Sequence, residues 1–490
     1  MSLLKKLAGQ TVIYGLSHII SRVLLFVVFT VYLTRTVGEA EYGIYADMYS
    51  YATVILTILV FRLDTAMFRF GRGQKDGQTV FNTGFVGVLI ICLIALLILI
   101  PLVQPISALL HYDESPHYIK WFAYFLVLDA LAALVFARLR LQERPVRFVC
   151  YKLLNIGVTV VFVLFFLEVM PNYFPQSYAR LSSYLGITRK IDFVFFTNLI
   201  ASAAVLLAML PEFVSFRFSF DFSLFRKMSW YALPLVFVGI AGNINQAFAA
   251  PLQRIFLGEG ILDNLANVGV YAAAGKLAIL LNLFTTAFNY AAEPFFFNNS
   301  DNRDSLKVYG KVALAFTIVS CFATLALIFY IDIITLLLGA KYKSGVNVVP
   351  ILLFAYVFLG LYYNVSIWYK LKDKTHIGAI ISLIGAVVTI VVSILLLPQY
   401  GTIASAWAAL ACYITMVVFG YFIGQKYYPV EYPVFKILSY IFISLGLALL
   451  ALYLRVKLGF GPVYFVGVTL GLLTFVWAIF KLEWADLSKR

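Results

Sequence analysis

Residues 370–397 read KLKDKTHIGAIISLIGAVVTIVVSILLL, and this stretch decides the fold class. A short charged segment ends at Lys374, and the run from Ile377 to Tyr400 contains no charged side chain. A helix rises about 1.5 Å per residue, so about 20 apolar residues cross the ~30 Å of hydrocarbon in a bilayer. The run is long enough for that crossing. It therefore predicts a transmembrane helix.

The composition of the whole chain extends this interpretation. Of 490 residues, 63% are hydrophobic and 12% are charged, whereas a soluble globular domain carries roughly 25% charged residues. A soluble protein of this size would need a polar exterior that the sequence does not supply. The formal net charge of +14 is explained by Lys and Arg in cytoplasmic loops, where membrane proteins retain an excess of both. We therefore expect an integral membrane protein with no nucleic-acid partner.

Apolar runs separated by short polar breaks predict fourteen transmembrane helices. The predicted spans are 10–34, 42–66, 80–108, 118–139, 146–169, 190–210, 229–256, 267–293, 308–338, 347–369, 376–398, 402–424, 435–455 and 461–481. With the N-terminus inside, the cytoplasmic segments hold 23 of the 37 Lys and Arg residues, and the external segments hold 9. This asymmetry predicts that both termini are cytoplasmic.

The opening stretch has a counterpart 230 residues earlier in the chain. Residues 140–167 read RLQERPVRFVCYKLLNIGVTVVFVLFFL, again a charged segment that leads into an apolar run. In the same way, YGIYA at 42–46 resembles VGVYA at 268–272. Such offsets predict two parallel six-helix bundles around a central cavity, followed by an extra helix pair. The predicted domains are 1–215, 216–428 and 429–490.

Polar side chains inside the predicted helices indicate where function lies. A charged side chain in hydrocarbon costs at least ~2.5–3.5 kcal/mol, so it should face protein or a water-filled cavity. The basic candidates are Arg22, Arg62 and Lys276, and such groups suit a phosphate or diphosphate. Amides, hydroxyls and aromatic rings suit sugars. The residues predicted to line the cavity are His18, Asp47, Tyr51, Asn243, Gln246, Asn282, Thr286 and Asn289.

Helical spacing supports this grouping. His18 and Arg22 fall on one face of the first helix, and Asp47, Tyr51 and Arg62 fall within about 60° of one another on the second. The acidic candidates for coupling or gating are Asp64, Asp129 and Glu293. The alternative is that these polar groups pair among themselves and hold the helices together.

The loops exclude several kinds of site. The longest predicted external loop, at 170–190, has about 20 residues, and no Walker A pattern is present. We therefore expect no nucleotide-binding module, no cofactor and no catalysis. Coupling to a gradient of H+ or Na+ stays open.

Short motifs carry a resemblance to a known family. They are LTRTVG at 33–38, YGIY at 42–45, VGVYAAAGK at 268–276 and YAAEPFFF at 290–297. Together with the fourteen spans and the six-helix repeat, they make the chain resemble the multidrug/oligosaccharidyl-lipid/polysaccharide exporter superfamily. Within it, the chain is most similar to the Wzx-like polysaccharide flippases. The resemblance covers nearly the whole chain.

This resemblance implies a flippase for an undecaprenyl-diphosphate-linked oligosaccharide, working by alternating access in the bacterial inner membrane. The substrate would move from the cytoplasmic to the outer leaflet, for the synthesis of O-antigen, capsule or exopolysaccharide. By position, Arg22, Arg62 and Lys276 would hold the diphosphate while the lipid tail stays in the bilayer. The expected partners are the lipid-linked oligosaccharide, membrane lipids and other polysaccharide-assembly proteins, and the chain is expected to be a monomer.

Three other functions are alternatives to a flippase. A cation-coupled drug or metabolite exporter of the same fold would need a smaller and more acidic cavity. A polysaccharide polymerase or ligase would favour a large external loop with catalytic Arg or His, and the external loops here are short. A non-catalytic membrane scaffold would not explain two facing polar stripes.

Overall fold

A computed structural model describes residues 23, 26–71, 77–214, 216–258, 260–298, 305–372, 374–459 and 461–487. This part of the chain is built from helices and contains no β-strand. Thirteen of its helices are long and apolar enough to cross a membrane. Most of the first predicted span, including His18 and Arg22, lies outside the described residues. The predicted all-α membrane fold with about fourteen helices is confirmed.

The chain divides into two compact units, and the first is Met1–Pro251. Its main helices are α1 (Glu39–Val60), α2 (Leu63–Gly71), α3 (Gly77–Leu99), α4 (His117–Leu141), α5 (Pro145–Leu164), α6 (Lys190–Ala208) and α7 (Phe222–Ala247). Here α4 packs against α1, α3 and α6, and α7 packs against α1, α2 and α3. The Tyr49 ring lies 5.4 Å from that of Phe122 and 6.2 Å from that of Phe195, so aromatic packing joins α1, α4 and α6.

The second unit is Leu252–Arg490. Its long helices are α8 (Ile261–Asn298), α9 (Ser305–Phe329), α10 (Val349–Val365), α11 (Thr375–Tyr400), α12 (Ile403–Tyr427), α13 (Val434–Leu458) and α14 (Pro462–Leu487). Here α10 packs against α8, α9 and α12, and α11 packs against α12. Gly360 lets α10 approach α9 closely, because a Cβ at this position would lie 1.9 Å from the Phe316 ring.

The division by packing differs from the predicted domains. The boundary falls after Pro251 instead of residue 215, because α7 packs against helices of the first unit. The predicted boundary was placed where the second sequence repeat begins. A sequence repeat shows that two segments are related, but it does not show which helices pack together. The assignment of α7 to a second six-helix repeat stays a prediction.

The extra helix pair belongs to the second unit by packing. Helices α13 and α14 both lie against α9. Polar contacts join the same elements: Arg455 donates to both carboxylate oxygens of Asp332, from Nε at 2.8 Å and from Nη2 at 2.6 Å. The hydroxyls of Tyr330 and Thr469 are 2.9 Å apart. These contacts fix one end of the pair to the short helix that follows α9.

Large apolar side chains cover much of the outside of each unit. Leu97 is 75% exposed, Leu395 is 62% exposed and Phe442 is 65% exposed. Soluble monomers rarely expose contiguous apolar patches larger than a few hundred Å2. These side chains are the lipid-facing surface of a multi-pass membrane protein.

The buried Glu212, just after α6, contacts arginines at the end of α4 and at the start of α5. Arg147 donates to the Glu212 carboxylate at 2.8 Å, and Arg144 lies 3.8 Å from it. Arg138 donates to the Glu212 carbonyl at 2.7 Å and covers the Phe81 ring at 4.4 Å. Some of the arginines assigned to the predicted cytoplasmic segments therefore also connect the ends of these helices.

We predict that the Asp332–Arg455 pair is energetically coupled. Asp332→Ala and Arg455→Ala should each lower the thermal midpoint of the detergent-solubilised protein, and the double variant should lose less than the sum. For a bidentate, half-buried pair we expect a coupling energy of about 1 kcal/mol. Strictly additive losses would show that the pair does not hold α13 in place.

Candidate functional site

The second predicted span is broken near its centre. Residues 42–66 were predicted as one helix, but Phe61 and Arg62 both adopt left-handed backbone conformations, with φ of 49° and 51°. They separate α1 from α2. Each such conformation costs a non-glycine residue roughly 1–2 kcal/mol, and strained backbone tends to occur at functional sites. The helical period therefore does not run from Tyr51 to Arg62, so the predicted common face is wrong.

Hydrogen bonds close both sides of this break. The Phe61 amide donates to the carbonyls of Thr57 and Ile58, which ends α1. The Arg62 carbonyl accepts from the amides of Thr65 and Ala66, which starts α2. The chain thus crosses the break while both helix ends stay bonded, as a membrane interior requires.

The Arg62 side chain lies against a glycine of α7. A Cβ built on Gly239 would lie 2.5 Å from Arg62 Nη2 and 2.8 Å from Nε. An alanine here would require the guanidinium and the Thr57 methyl group to shift. The Nε atom is buried, and the described residues offer it no hydrogen-bond partner. A cationic group is therefore positioned in the membrane region with one donor unused.

A ladder of polar contacts fixes α7 against α1 beside Arg62. The Asn243 amide donates to the Thr53 carbonyl at 2.9 Å and to the Thr57 hydroxyl at 2.8 Å. The Ser50 hydroxyl donates to the Ala247 carbonyl at 2.7 Å. Residues of α1 that are closer to the break contact residues that come earlier in α7, so the two helices run antiparallel. Asn243 was predicted to line the cavity, and here it joins two helices.

Asp47 and Tyr51 take different positions on α1. Asp47 is fully buried and accepts a hydrogen bond of 2.8 Å from the Tyr112 hydroxyl. It therefore lies inside the helix packing and faces no open space, contrary to its predicted place on a cavity wall. Tyr51 is half-buried, and the edge of its ring packs on Phe248 at 5.9 Å.

The acidic candidates lie on three different helices. Asp129 on α4 accepts a hydrogen bond of 2.7 Å from Ser202 on α6 and interacts electrostatically with Lys152 on α5. Asp64 is half-buried in the first turn of α2, with the Thr65 hydroxyl 3.5 Å away. Glu293 belongs to α8, but its side chain lies outside what the structure describes.

The candidates of the second unit lie on α8. Asn282, Thr286 and Asn289 are half-buried on one face, and the Thr286 hydroxyl lies 3.5 Å from the Asn282 amide oxygen. Lys276 is also half-buried, about 120° away from Asn282 around the helix by the helical period. Gln246, near the end of α7 in the first unit, is exposed.

Residues 7–300, more than half of the chain, match the family model described as polysaccharide biosynthesis protein. The chain belongs to the polysaccharide biosynthesis protein family. No curated protein matches the chain. The resemblance predicted from the motifs is confirmed at the level of the family.

Solved structures show the fold that this family member shares. One is described as the lipid II flippase MurJ in an inward closed conformation, with 15% identity, a TM-score of 0.70, and coverage of 97% of this chain and 99% of that chain. Two structures described as a multidrug resistance MATE family transporter of the MOP superfamily are also similar. The inward-facing and outward-facing structures have TM-scores of 0.64 and 0.58, each at 12% identity with coverage of 85% of this chain and 94% of that chain.

Sequence reasoning missed the partners that hold Arg62 in this family member. Gly239 was not among the predicted site residues, and its contact with Arg62 is not visible in a single sequence. A partial signal existed on α1, because Ser50, Thr53 and Thr57 follow spacings of 3 and 4 and form a hydroxyl stripe. Such a stripe predicts a close polar contact with a neighbouring helix.

Two glycines of α7 offer a matched test of the Arg62 position. Gly239→Ala should give a lower thermal midpoint than Gly242→Ala in the detergent-solubilised protein, because the new methyl group at 239 forces the guanidinium and the Thr57 methyl group to shift. Gly242→Ala is the control, since a Cβ there meets nothing within 4 Å, and it should be neutral or stabilising by about 0.5–1 kcal/mol. Thermal unfolding measures both. Equal midpoints for the two variants would contradict the close contact.

Proposed function

We propose that this chain is a flippase that moves an undecaprenyl-diphosphate-linked oligosaccharide from the cytoplasmic to the outer leaflet. It would serve the synthesis of a surface polysaccharide such as O-antigen, capsule or exopolysaccharide. Membership of the polysaccharide biosynthesis protein family supports the process. The observation that carries the substrate class is the Arg62 guanidinium, fixed at a helix break with one donor unused.

A diphosphate suits this guanidinium for physical reasons. An Arg side chain presents a planar fork of donors that pairs with two phosphate oxygens at once. In a low-dielectric region the attraction between opposite charges is stronger than in water. A negatively charged substrate would offset the free-energy cost of keeping the Arg62 charge in the membrane region. Arg22 and Lys276 are proposed to contribute further positive charge to the same substrate group.

The sugars are proposed to meet amides and hydroxyls. On α8 this role falls to Asn282, Thr286 and Asn289, and on the first unit to His18, Tyr51 and Gln246. Asn243 and Asp47 are left out of this proposal, because Asn243 bonds to α1 and Asp47 bonds to Tyr112 in the loop before α4.

A drug or metabolite exporter of the same fold is the competing function, and similarity to MATE transporters is in its favour. Such a transporter of cationic compounds needs accessible carboxylates. In the first unit, however, Asp47 is bonded to Tyr112, and Asp129 interacts with Ser202 and Lys152. Arg62 lies at the strained break, and its buried Nε has no hydrogen-bond partner among the described residues. This balance favours an anionic substrate.

Alternating access is the proposed mode of transport. The similar MATE structures include an inward-facing and an outward-facing conformation. Coupling to H+ or Na+ would fall to Asp64 or Glu293, or to Asp129, where a change of protonation would act on Lys152. We place the chain in the bacterial inner membrane with both termini in the cytoplasm, as a monomer that acts without catalysis and passes its substrate to other polysaccharide-assembly proteins.

Replacing Arg62 tests this function in cells. In a strain that lacks its own copy, Arg62→Ala should reduce surface polysaccharide by more than about tenfold and trap lipid-linked repeat units in the cytoplasmic leaflet. Arg62→Lys should restore part of the export, because it keeps the charge but loses the fork. Surface polysaccharide and leaflet-resolved lipid-linked sugar are the measurements.

The same experiment separates the two functions. Gly242→Ala serves as the control and should export normally. Normal export by a well-expressed Arg62→Ala variant would overturn the proposed role of this residue. Drug resistance conferred by the wild-type chain, without restored polysaccharide, would favour the exporter.

A further inference from the structure

The second unit contains a cavity that none of the residues discussed so far accounts for. Its volume is about 510 Å3, within the range of about 300–1,000 Å3 that is typical of small-molecule sites. The helix ends of α11 and α12 form one wall, and the 3-10 segment Ala340–Val348 forms another. Asn267 of α8 contributes to the remaining wall.

The lining that the structure describes is polar and uncharged. Asn267, Ser344, Asn347, Tyr400 and Thr402 supply its polar side chains, and the other described lining residues are apolar or glycine. A phosphate would call for Arg or Lys, and a metal cation such as Ca2+ or Mg2+ would call for carboxylates. Neither kind of side chain is among the described residues that line this cavity. The chemistry that remains is that of a neutral, hydroxyl-rich ligand.

Three of these side chains are available to a ligand. The side chains of Asn347, Tyr400 and Thr402 form no hydrogen bond within the part of the chain that the structure describes. Asn347 is exposed, and Tyr400 is 62% exposed. An amide both donates and accepts hydrogen bonds, as a sugar hydroxyl does. An exposed tyrosine ring offers an apolar face beside a polar hydroxyl, which matches the two faces of a sugar ring.

The walls of the cavity are held in fixed positions. Gly345 lets the 3-10 segment lie directly on α8, because a Cβ there would be 2.8 Å from the Val270 carbonyl oxygen. Gly401 has a φ of +63°, which turns the chain sharply from α11 into α12. The Gly401 and Thr402 carbonyls then accept from the amides of Ala404 and Ser405. A preformed site loses little entropy on binding.

We propose that this cavity binds uncharged sugar units of the lipid-linked oligosaccharide. The proposal rests on the proposed function and its orientation, in which all the lining segments lie at the external ends of their helices. The cavity would hold the glycan on the side where it is released, separate from the Arg62 position that takes the diphosphate. The second unit would then contain a sugar site in addition to the polar residues proposed above.

Two soluble probes separate the sugar site from the charge site. The purified full chain in detergent would be titrated with the repeat-unit oligosaccharide, released by mild acid from the surface polysaccharide of the source strain, and with inorganic diphosphate. Tyr400→Ala and Asn347→Ala should each weaken oligosaccharide binding by about tenfold, the effect expected for one lost contact. Both should leave diphosphate binding unchanged. Arg62→Ala should show the reverse pattern.

Tyr453→Ala is the matched control, because Tyr453 is 59% exposed in the same unit but does not line the cavity. It should bind both probes as the wild type does. Unchanged oligosaccharide binding in Tyr400→Ala and Asn347→Ala would overturn the sugar site, whatever the diphosphate result. Loss of the Arg62 effect on diphosphate would instead count against the proposed function. The two failures are therefore distinguishable.

Discussion

A chain that crosses hydrocarbon must satisfy its own backbone hydrogen bonds, and the rest of this structure depends on that constraint. Each unsatisfied amide or carbonyl costs several kcal/mol where no water is present. Continuous helices meet the constraint without help. A break is tolerated only where neighbouring protein covers it. The left-handed turn at Phe61 and Arg62 is such a break, and α7 covers it.

The cover explains why α7 packs with the first unit. Gly239 lies against the guanidinium of Arg62, and Asn243 bonds to the Thr53 carbonyl and the Thr57 hydroxyl of α1. Interhelical hydrogen bonds in membranes are each worth only about 0.6 kcal/mol on average. Several acting together, with a close glycine contact, hold two strained residues in place. The strain positions a cationic group whose natural complement is an anionic substrate.

Much of the fold was predictable from the sequence. The span predicted at 376–398 is α11 at Thr375–Tyr400, and the span predicted at 402–424 is α12 at Ile403–Tyr427. Such runs can be predicted because the thickness of the hydrocarbon sets their length and its apolar environment excludes charged side chains. The break in the second span was not readable. Phe61 and Arg62 are neither Gly nor Pro, so nothing local marks a left-handed turn there, and only tertiary contact stabilises it.

The candidate site was predictable in part. Arg62 was identified because an intramembrane Arg is costly, and the structure places it at the break. Asp47 and Asn243 were identified by the same reasoning, yet Asp47 bonds to the loop before α4 and Asn243 bonds to α1. A single sequence shows that a polar group is in the membrane, but its partner lies more than 60 residues away in both cases. The proposed sugar cavity gave no sequence signal, because its polar residues come from α8, the 3-10 segment and the junction between α11 and α12, which are far apart in the chain.

The central claim is that Arg62 recognises the diphosphate of the substrate. The most direct measurement is translocation in liposomes that contain the purified protein and either a diphosphate-linked or a monophosphate-linked oligosaccharide on the same lipid. The wild-type protein should move the diphosphate form at least about tenfold faster, and the ratio should fall to about one in Arg62→Ala. An Arg62→Ala variant that folds normally and keeps the wild-type ratio would contradict the claim.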